Sequence, residues 1–119
     1  MQSGHMKSDA TIVILSTDAV LCSSLATLFE ARGHRVSVGA DVVTDHRGDP
    51  DCVVVDLDRP AGQLSARWLE GHFPGVPCVV LSGSPWAGPD AAAELSQGYF
   101  LHKPVRALEL TAMVEGLLP

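Results

Sequence analysis

Four polar residues with the chemistry of phosphoryl transfer directly follow or end apolar runs in this sequence. Asp56 and Asp58 follow three valines in VVVDLD, Ser82 ends the run CVVLS, and Lys103 follows YFLH. A carboxylate can attack phosphorus, a lysine can neutralise charge on phosphoryl oxygens, and a hydroxyl can donate a hydrogen bond to one of them. If the fold brings these side chains together, Asp56 is a candidate phosphoryl acceptor.

The apolar runs that precede these residues are typical of strands buried on both faces. Three of them are rich in β-branched residues, which favours strands over helices. The predicted buried strands are ATIVILS (10–16), DCVVVD (51–56), CVVLS (78–82) and YFLH (99–102), and the more polar HRVSVGA (34–40) is predicted to be an edge strand.

Helices are predicted between the strands. The first, after Thr17, has Leu21, Leu25, Leu28 and Phe29 at helical spacing and ends before Gly33. The second and third have room for only a turn or two, in DVVTDHRGDP and AGQLSARWLEGHF. The fourth is predicted in GPDAAAELSQG (88–98), and the last in VRALELTAMVEGLL (105–118), with an apolar stripe at Leu110, Met113, Val114 and Leu117.

Strands alternate with helices five times, which predicts an α/β fold with a parallel sheet and helices on both of its faces. Sites in such sheets form beyond the carboxyl ends of the strands. The first strand delivers Ser16, Thr17 and Asp18 to that edge, and the later strands deliver the carboxylates, the hydroxyl and the lysine. We therefore expect these residues to lie together.

Composition limits the other functions that the chain could have. It has 119 residues, 46% of them hydrophobic, and a net charge of −6 without a basic stripe, so nucleic-acid binding and membrane insertion are not expected. Residues 1–6, MQSGHM, are interpreted as a vector-derived scar and residues 7–119 as one domain. Cys22, Cys52 and Cys78 are widely spaced in apolar sequence, which favours reduced, buried thiols and a cytoplasmic location.

The order of these motifs resembles the receiver domain of two-component response regulators. The similarity extends from about Thr11 to Leu118. It consists of the motifs strand–Asp–x–x–x–Pro, strand–Ser and strand–Lys–Pro, together with the segments GHRV and HKPV. It implies a flavodoxin-like (βα)5 doubly wound fold with strand order 2-1-3-4-5. In that family the Lys–Pro peptide bond is typically cis.

The resemblance also implies a role for each matching residue. Asp56 would be the phosphoacceptor, served by a partner histidine kinase, and Asp58 would offer its backbone carbonyl to Mg²⁺ while its side chain is solvated. Ser82 would be the switch hydroxyl and Lys103 would contact the phosphoryl group. Phe100 would be the switch aromatic residue. The face formed by the fourth helix, fifth strand and fifth helix would change its protein partners, and a homodimer could form through it.

One departure from the family pattern affects the metal. Receivers usually carry two adjacent acidic residues after the first strand, where this chain has Ser16 and Thr17. Asp18 follows one place later, as a displaced metal ligand or, the interpretation we favour, as the N-cap of the first helix. Since Mg²⁺ usually needs one or two carboxylates, we predict weak binding through Asp56, Asp58 and Asp18, and slow or absent phosphorylation.

Two other functions remain open at this stage. The chain could be a pseudo-receiver, an interaction module that has lost metal-dependent switching together with the acidic pair. It could also be a phosphatase of the haloacid-dehalogenase type, which DLD resembles. That family needs a further acidic pair after the lysine, whereas Glu109 and Glu115 stand apart here. We therefore predict that the chain is not an enzyme.

Overall fold

The computed structural model describes residues 10–38, 50–58 and 66–118. Within these residues five strands form one sheet, with two α-helices and a 3-10 turn between them and a third α-helix at the end. The strands are β1 (Thr11–Leu15), β2 (Arg35–Val38), β3 (Cys52–Asp56), β4 (Cys78–Ser82) and β5 (Gly98–His102). The α-helices are α1 (Ala19–Glu30), α2 (Ala66–His72) and α3 (Ala107–Leu117), and the 3-10 turn is Pro89–Ala92.

The sheet is parallel throughout, with the strand order β2-β1-β3-β4-β5. This confirms the predicted flavodoxin-like topology. All five residues of β3 and of β4 are buried, since these strands have a neighbour on each side and packed side chains on both faces. The central position of β3 places its last residue, Asp56, in the middle of the carboxyl edge of the sheet.

The core consists of two hydrophobic layers, one on each face of the sheet. Alternate residues of β1 separate into them: Ile12 and Ile14 pack with α1 and α3, whereas Val13 and Leu15 pack with α2 and the 3-10 turn. The two layers hold the strands in one register, for example with Val55 of β3 beside Val80 of β4. The strand ends that carry the polar residues are therefore fixed relative to one another.

The first and last helices agree with the apolar patterns in the sequence. In α1 the buried residues are Cys22, Leu25 and Phe29, with Leu21 and Leu28 partly buried beside them. After α1 the chain turns at Gly33, whose φ of 92° suits glycine. In α3 the buried residues are Leu110, Thr111 and Val114, and Met113 and Leu117 pack at the margin of the same layer.

The prediction of a fourth α-helix was wrong. The segment contains only the 3-10 turn Pro89–Ala92, although it is rich in alanine. The turn lies so close to β5 that a Cβ on Gly98 would collide with the carbonyl oxygen of Ala92 and come within 2.9 Å of the Cβ atoms of Ala92 and Leu95. Ala92 and Leu95 are buried, and β5 begins at Gly98, three residues after Leu95, so the chain is held against β5 at this point.

The fifth strand is also less buried than predicted. Leu101 is the only buried residue of β5, because β5 is the second edge of the sheet and has one strand neighbour. The predicted second helix, and the start of the segment predicted for the third, lie outside the described residues, as does the interpreted scar 1–6. The third helix itself, α2, has seven residues, as its short segment predicts.

Other expectations concern the thiols and the membrane. Cys22, Cys52 and Cys78 are free and buried, as predicted. Burial raises the pKa of Cys52 and of Cys78 to about 12, so both stay protonated near neutral pH. Among the helices of the described ranges, none has the length and apolar character to cross a bilayer.

Candidate functional site

The fold brings the predicted polar residues together at the carboxyl edge of the sheet. Asp56 ends β3 and Ser82 ends β4, while Ser16 follows β1 and Lys103 follows β5. Lys103 is aligned with β4 by its backbone N–H, which donates to the Ser82 carbonyl at 2.9 Å. Four separate stretches of sequence thus contribute to one site because their strands are adjacent and parallel.

Asp56 is the centre of the site and is only 1% exposed. Its Oδ1 accepts a hydrogen bond from Lys103 Nζ at 2.7 Å and another from the backbone N–H of Asp58 at 2.9 Å. Its Oδ2 accepts from the Ser16 hydroxyl at 2.8 Å. A buried carboxylate needs such donors, since loss of hydration disfavours its charged form.

The charges of Asp56 and Lys103 stabilise each other. Burial alone would raise the pKa of Asp56, but hydrogen bonds from Lys103, Ser16 and the Asp58 amide outweigh it and lower that pKa below its ordinary 3.8. Burial likewise tends to lower the pKa of Lys103, and its contacts with Asp56 and Asp58 raise it above 10.5. Near neutral pH the site therefore holds a charged carboxylate against a charged ammonium.

The side chain of Asp58 is hydrogen-bonded within the site, whereas the resemblance implied that only its backbone carbonyl has a role there. Asp58 is exposed, as expected, and its carboxylate also accepts from the Ser82 hydroxyl at Oδ1 (2.7 Å) and from the Gly83 N–H at Oδ2 (2.7 Å). Lys103 Nζ lies 3.1 Å from the same Oδ2. The hydrogen bond from the Gly83 amide is the main cause that lowers the pKa of Asp58.

The two residues at the positions of the acidic pair differ in burial and in hydrogen bonding. Ser16 is 2% exposed and donates to Asp56, while Thr17 is exposed. Asp18 is the N-cap of α1: its Oδ1 accepts from the amides of Val20 and Leu21, both at 3.1 Å. The N-cap interpretation is therefore the one that the structure shows, and one Asp18 oxygen is already used within the helix.

A magnesium ion is the other group that the family pattern implies at this edge of the sheet. Within residues 10–38, 50–58 and 66–118, no group of three or more His, Cys, Asp or Glu side chains could hold a metal ion. Asp56 and Asp58 are the two carboxylates at the strand ends, and both contact the ammonium of Lys103. A cation in this position would compete with that ammonium for the same oxygens.

Phe100 lies on the opposite face of β5 from Tyr99, as the strand alternation predicts. It packs beside the layer that contains Val80 and Ala92, whereas Tyr99 packs against the α1 and α3 layer. The ring of Phe100 meets that of His102 edge to face, with 4.8 Å between the centroids. The aromatic residue is thus positioned on the strand that leads to Lys103.

Comparison with solved structures shows which known proteins share this architecture. Full-length FixJ from B. japonicum is similar over 92% of this chain and 58% of its own, with a TM-score of 0.74 and 25% identity. A response regulator receiver domain protein from Clostridium thermocellum is similar over 91% of this chain and 93% of its own, with a TM-score of 0.74 and 18% identity. The receiver domain of the sensor histidine kinase PA1611 from Pseudomonas aeruginosa is similar over 92% of this chain and 98% of its own, with a TM-score of 0.72 and 18% identity. That structure has a magnesium ion coordinated in its active site cleft.

Sequence comparison gives no further identification. No protein-family model matches the chain, and no curated protein matches it. The structural neighbours are nevertheless consistent with one another, since many are receiver domains of two-component response regulators or of sensor kinases. The chain has the flavodoxin-like fold of these response-regulator receiver domains.

Proposed function

We propose that this chain is a two-component receiver domain that accepts a phosphoryl group on Asp56 from a histidine kinase. One observation carries the proposal: the Asp56 carboxylate lies at the carboxyl end of the central strand with Lys103 Nζ 2.7 Å from its Oδ1. The Ser82 hydroxyl belongs to the same hydrogen-bonded network. An acceptor carboxylate, a cation and a hydroxyl donor are the groups that phosphoryl transfer needs from a protein.

In the proposed step an Asp56 carboxylate oxygen attacks phosphorus and forms an acyl phosphate. The P–N bond of the phosphohistidine donor breaks, and its electron pair returns to the ring nitrogen. Lys103 offsets the negative charge on the phosphoryl oxygens. The Ser82 hydroxyl can donate to one of those oxygens once it is released from Asp58.

Phosphorylation would then alter a surface of the domain. The modification replaces the single charge of the Asp56 carboxylate by a phosphoryl group with nearly two negative charges beside Ser82 and Lys103, which biases a two-state element. The adjoining face consists of the 3-10 turn, β5 and α3, and it includes Leu108, which is 82% exposed. Its partners would be a histidine kinase or another signalling protein, and a homodimer through this face is part of the proposal.

Magnesium binding is proposed to be weak. The structure of the PA1611 receiver domain contains the ion in its cleft. In the present chain Ser16 and Thr17 occupy the positions of the acidic pair, and Lys103 already neutralises Asp56. A magnesium titration of intrinsic tryptophan fluorescence should give an affinity weaker than millimolar, and sub-millimolar binding would contradict this part of the proposal.

The test is intact-mass spectrometry after incubation with acetyl phosphate and magnesium. The wild-type chain should gain one phosphoryl group, and Asp56→Asn should gain none. Glu94→Gln is the matched control, because it removes one exposed carboxylate outside the site and should label like the wild type. Equal labelling of Asp56→Asn and the wild type would assign the phosphoryl group to another residue and overturn the proposal.

A second candidate function is a receiver fold that binds its partner without phosphorylation. The observation that favours it is the Ser16 hydroxyl, which donates to Asp56 Oδ2 where the family carries metal-binding carboxylates. A folded wild-type chain that gains no mass under these conditions would support this function. Partner capture would then be compared between the wild type and Asp56→Asn, which should behave alike.

Phosphatase activity is not part of the proposal. Glu115, one of the two acids after Lys103, is paired with Arg32 and His34, and Glu109 lies exposed in the first turn of α3. These two acids therefore do not join Asp56 in a metal site. Sustained turnover of p-nitrophenyl phosphate that is lost in Asp56→Asn would overturn this assignment.

A further inference from the structure

The Asp58 carboxylate collects three hydrogen-bond donors from two other strand ends. The Ser82 hydroxyl and the Gly83 amide each lie 2.7 Å from one of its oxygens, and Lys103 Nζ lies 3.1 Å away. The hydroxyl is oriented further because Ser82 Oγ accepts from the Ser84 amide at 3.0 Å. A hydroxyl, an amide and an ammonium that converge in this way form a site for an anion.

This anion site lies beside Asp56 and shares the ammonium of Lys103 with it. The same ammonium contacts Asp56 Oδ1 at 2.7 Å and Asp58 Oδ2 at 3.1 Å, so Lys103 bridges the Asp58 carboxylate and that of the proposed phosphoacceptor. A phosphoryl group attached to Asp56 would extend toward the same ammonium and require the same donors. Two anions cannot occupy these donors together without strong repulsion.

The site can be reached from solvent, since Asp58 and Gly83 are both exposed. A Cβ at residue 83 would lie 3.5 Å from Asp58 Oδ2 and 3.5 Å from Lys103 Cβ, which is ordinary contact distance. The amide of Gly83 therefore reaches the carboxylate with no side chain in between. If the Asp58 carboxylate leaves, the same amide is available to an external anion.

We propose that Asp58 is an internal anion that occupies the phosphoryl position of the unmodified chain and holds Ser82 in the orientation that a phosphoryl group would otherwise impose. The reference to phosphorylation rests on the proposed function, whereas the occupied anion site does not. Two consequences follow. Phosphorylation of Asp56 requires Asp58 to give up its donors, and the unmodified chain already has part of the arrangement expected of the modified one.

The first experiment tests the anion site without any phosphoryl transfer. Inorganic phosphate is titrated into Asp56→Asn, into the double variant Asp56→Asn/Asp58→Ala and into the control Asp56→Asn/Glu94→Ala, while the Gly83 and Ser84 amide resonances are followed by NMR. Phosphate should shift these amides in the Asp58→Ala background with an affinity at least about tenfold tighter than in the other two. Equal binding in all three, or binding in none, would overturn the proposal.

The second experiment measures the consequence for labelling. With acetyl phosphate and magnesium, Asp58→Ala should label on Asp56 at least about tenfold faster than the wild type, and Asp58→Asn should fall between them because it keeps the shape but loses the charge. If no variant labels while phosphate still binds only without Asp58, the phosphoacceptor proposal fails and the occupied anion site stands. If labelling occurs at the same rate with and without Asp58, the inference about Asp58 fails and the receiver function stands.

Discussion

Two clusters of charged side chains lie at opposite ends of the sheet, and they are built on different principles. The site cluster, at the carboxyl ends of the strands, consists of Asp56, Asp58 and Lys103. In it two carboxylates share one ammonium, so negative charge is in excess. Such a cluster favours the loss of one of the two carboxylates from the shared ammonium, which suits a site whose state must change.

The scaffold cluster, at the amino ends of the strands, consists of Arg32, His34 and Glu115. Here one carboxylate is shared by two partners: the Arg32 guanidinium bonds both of its oxygens at 2.6 Å, and His34 Nε2 lies 2.9 Å from Oε2. The cluster ties the residues after α1 to the end of α3. Both oxygens of its carboxylate accept hydrogen bonds, which suits a permanent structural contact.

The same kinds of charged side chain can therefore serve function in one cluster and stability in the other. The difference depends on the balance of charge in the cluster and on the segments of the chain that its side chains connect. A substitution in the site cluster should change the reactivity or ion binding of the site as well as the stability of the fold. A substitution in the scaffold cluster should change stability and leave reactivity unaltered. The variants below test this separation.

The largest effect is expected for Lys103→Met. The change removes the ammonium from both carboxylates, so labelling of Asp56 by acetyl phosphate should fall about a hundredfold. The free energy of unfolding should fall by about 2–3 kcal/mol, less than for a fully buried pair because Lys103 is 22% exposed and other donors to Asp56 remain. Arg106→Gln, which removes one exposed positive charge nearby, is the control and should change neither quantity.

The stability loss of Lys103→Met should depend on pH. In the folded wild type the pKa values of Asp56 and Asp58 lie below their ordinary 3.8, so their contribution to stability is present above that pH and is lost as the pH falls below it. The difference between the variant and the wild type should therefore be largest near neutral pH and narrow in acid. A difference that widens in acid, in urea denaturation at several pH values, would contradict this account.

A second variant makes the excess of negative charge larger. Ser16→Asp with Thr17→Asp places an acidic pair after β1, and Mg²⁺ affinity should rise at least about tenfold because carboxylates are the ligands that this ion prefers. Without the metal, the unfolding free energy should fall by about 2 kcal/mol, since a charge is added beside buried Asp56.

Thermal unfolding with and without Mg²⁺ measures both quantities for this variant. The control is Ser23→Asp with Ser24→Asp, which adds the same charge on exposed positions of α1. Only the first variant should be stabilised by the metal. Similar stabilisation of both would mean that the ion responds to net charge rather than to the site.

The sequence predicted the positions of the site cluster better than its contacts. The apolar strands and their parallel order place Asp56, Ser82 and Lys103 on one edge whatever the details of the loops. The bonds of the Asp58 carboxylate and the Ser16 hydroxyl depend on side-chain rotamers and on the turns after β3 and β4, which no periodicity records. The signal that could have found them is chemical: two carboxylates one residue apart, with a single lysine and a Ser–Gly pair on the next strands.

The segment before β5 shows the same limit of prediction from sequence. Continuous apolar runs predicted the buried strands, and helical periodicity predicted α1 and α3, because each of those helices buries one continuous face. The alanine-rich segment before β5 has high helix propensity, but contact with Gly98 and the burial of Ala92 and Leu95 override it. Such overriding is decided by distant packing, so a local pattern cannot reveal it.

Glu115→Gln should lower stability without affecting the site cluster. Arg32 and the buried ring of His34 lose a charged acceptor, and the unfolding free energy should fall by about 1–2 kcal/mol. The partners are 83 and 81 residues away in the sequence, which is why no local pattern predicted this contact. Labelling of Asp56 should equal that of the wild type, and a slower rate would show that the two clusters are coupled.

The pH dependence of that variant has a defined window. Hydrogen bonds from Arg32 are the main cause that lowers the pKa of Glu115 from 4.5 to about 2. A lowered folded-state pKa gives stability that is present above pH 4.5 and is lost as the pH falls toward 2. The difference between wild type and Glu115→Gln should therefore shrink across this window, and a constant difference would show that the charge of Glu115 contributes little.

The smallest effect is expected for Arg32→Gln. Arg32 is 47% exposed, so water and salt screen its pair with Glu115, and the unfolding free energy should fall by less than in Glu115→Gln. His34 keeps its contact with the carboxylate in this variant, which is why the loss is smaller than for Glu115→Gln. A double-mutant cycle of the two substitutions, measured at low and high salt, separates the contributions. A coupling energy much smaller than the loss in Glu115→Gln would show that the buried imidazole, rather than the exposed guanidinium, accounts for most of the stability of the scaffold cluster.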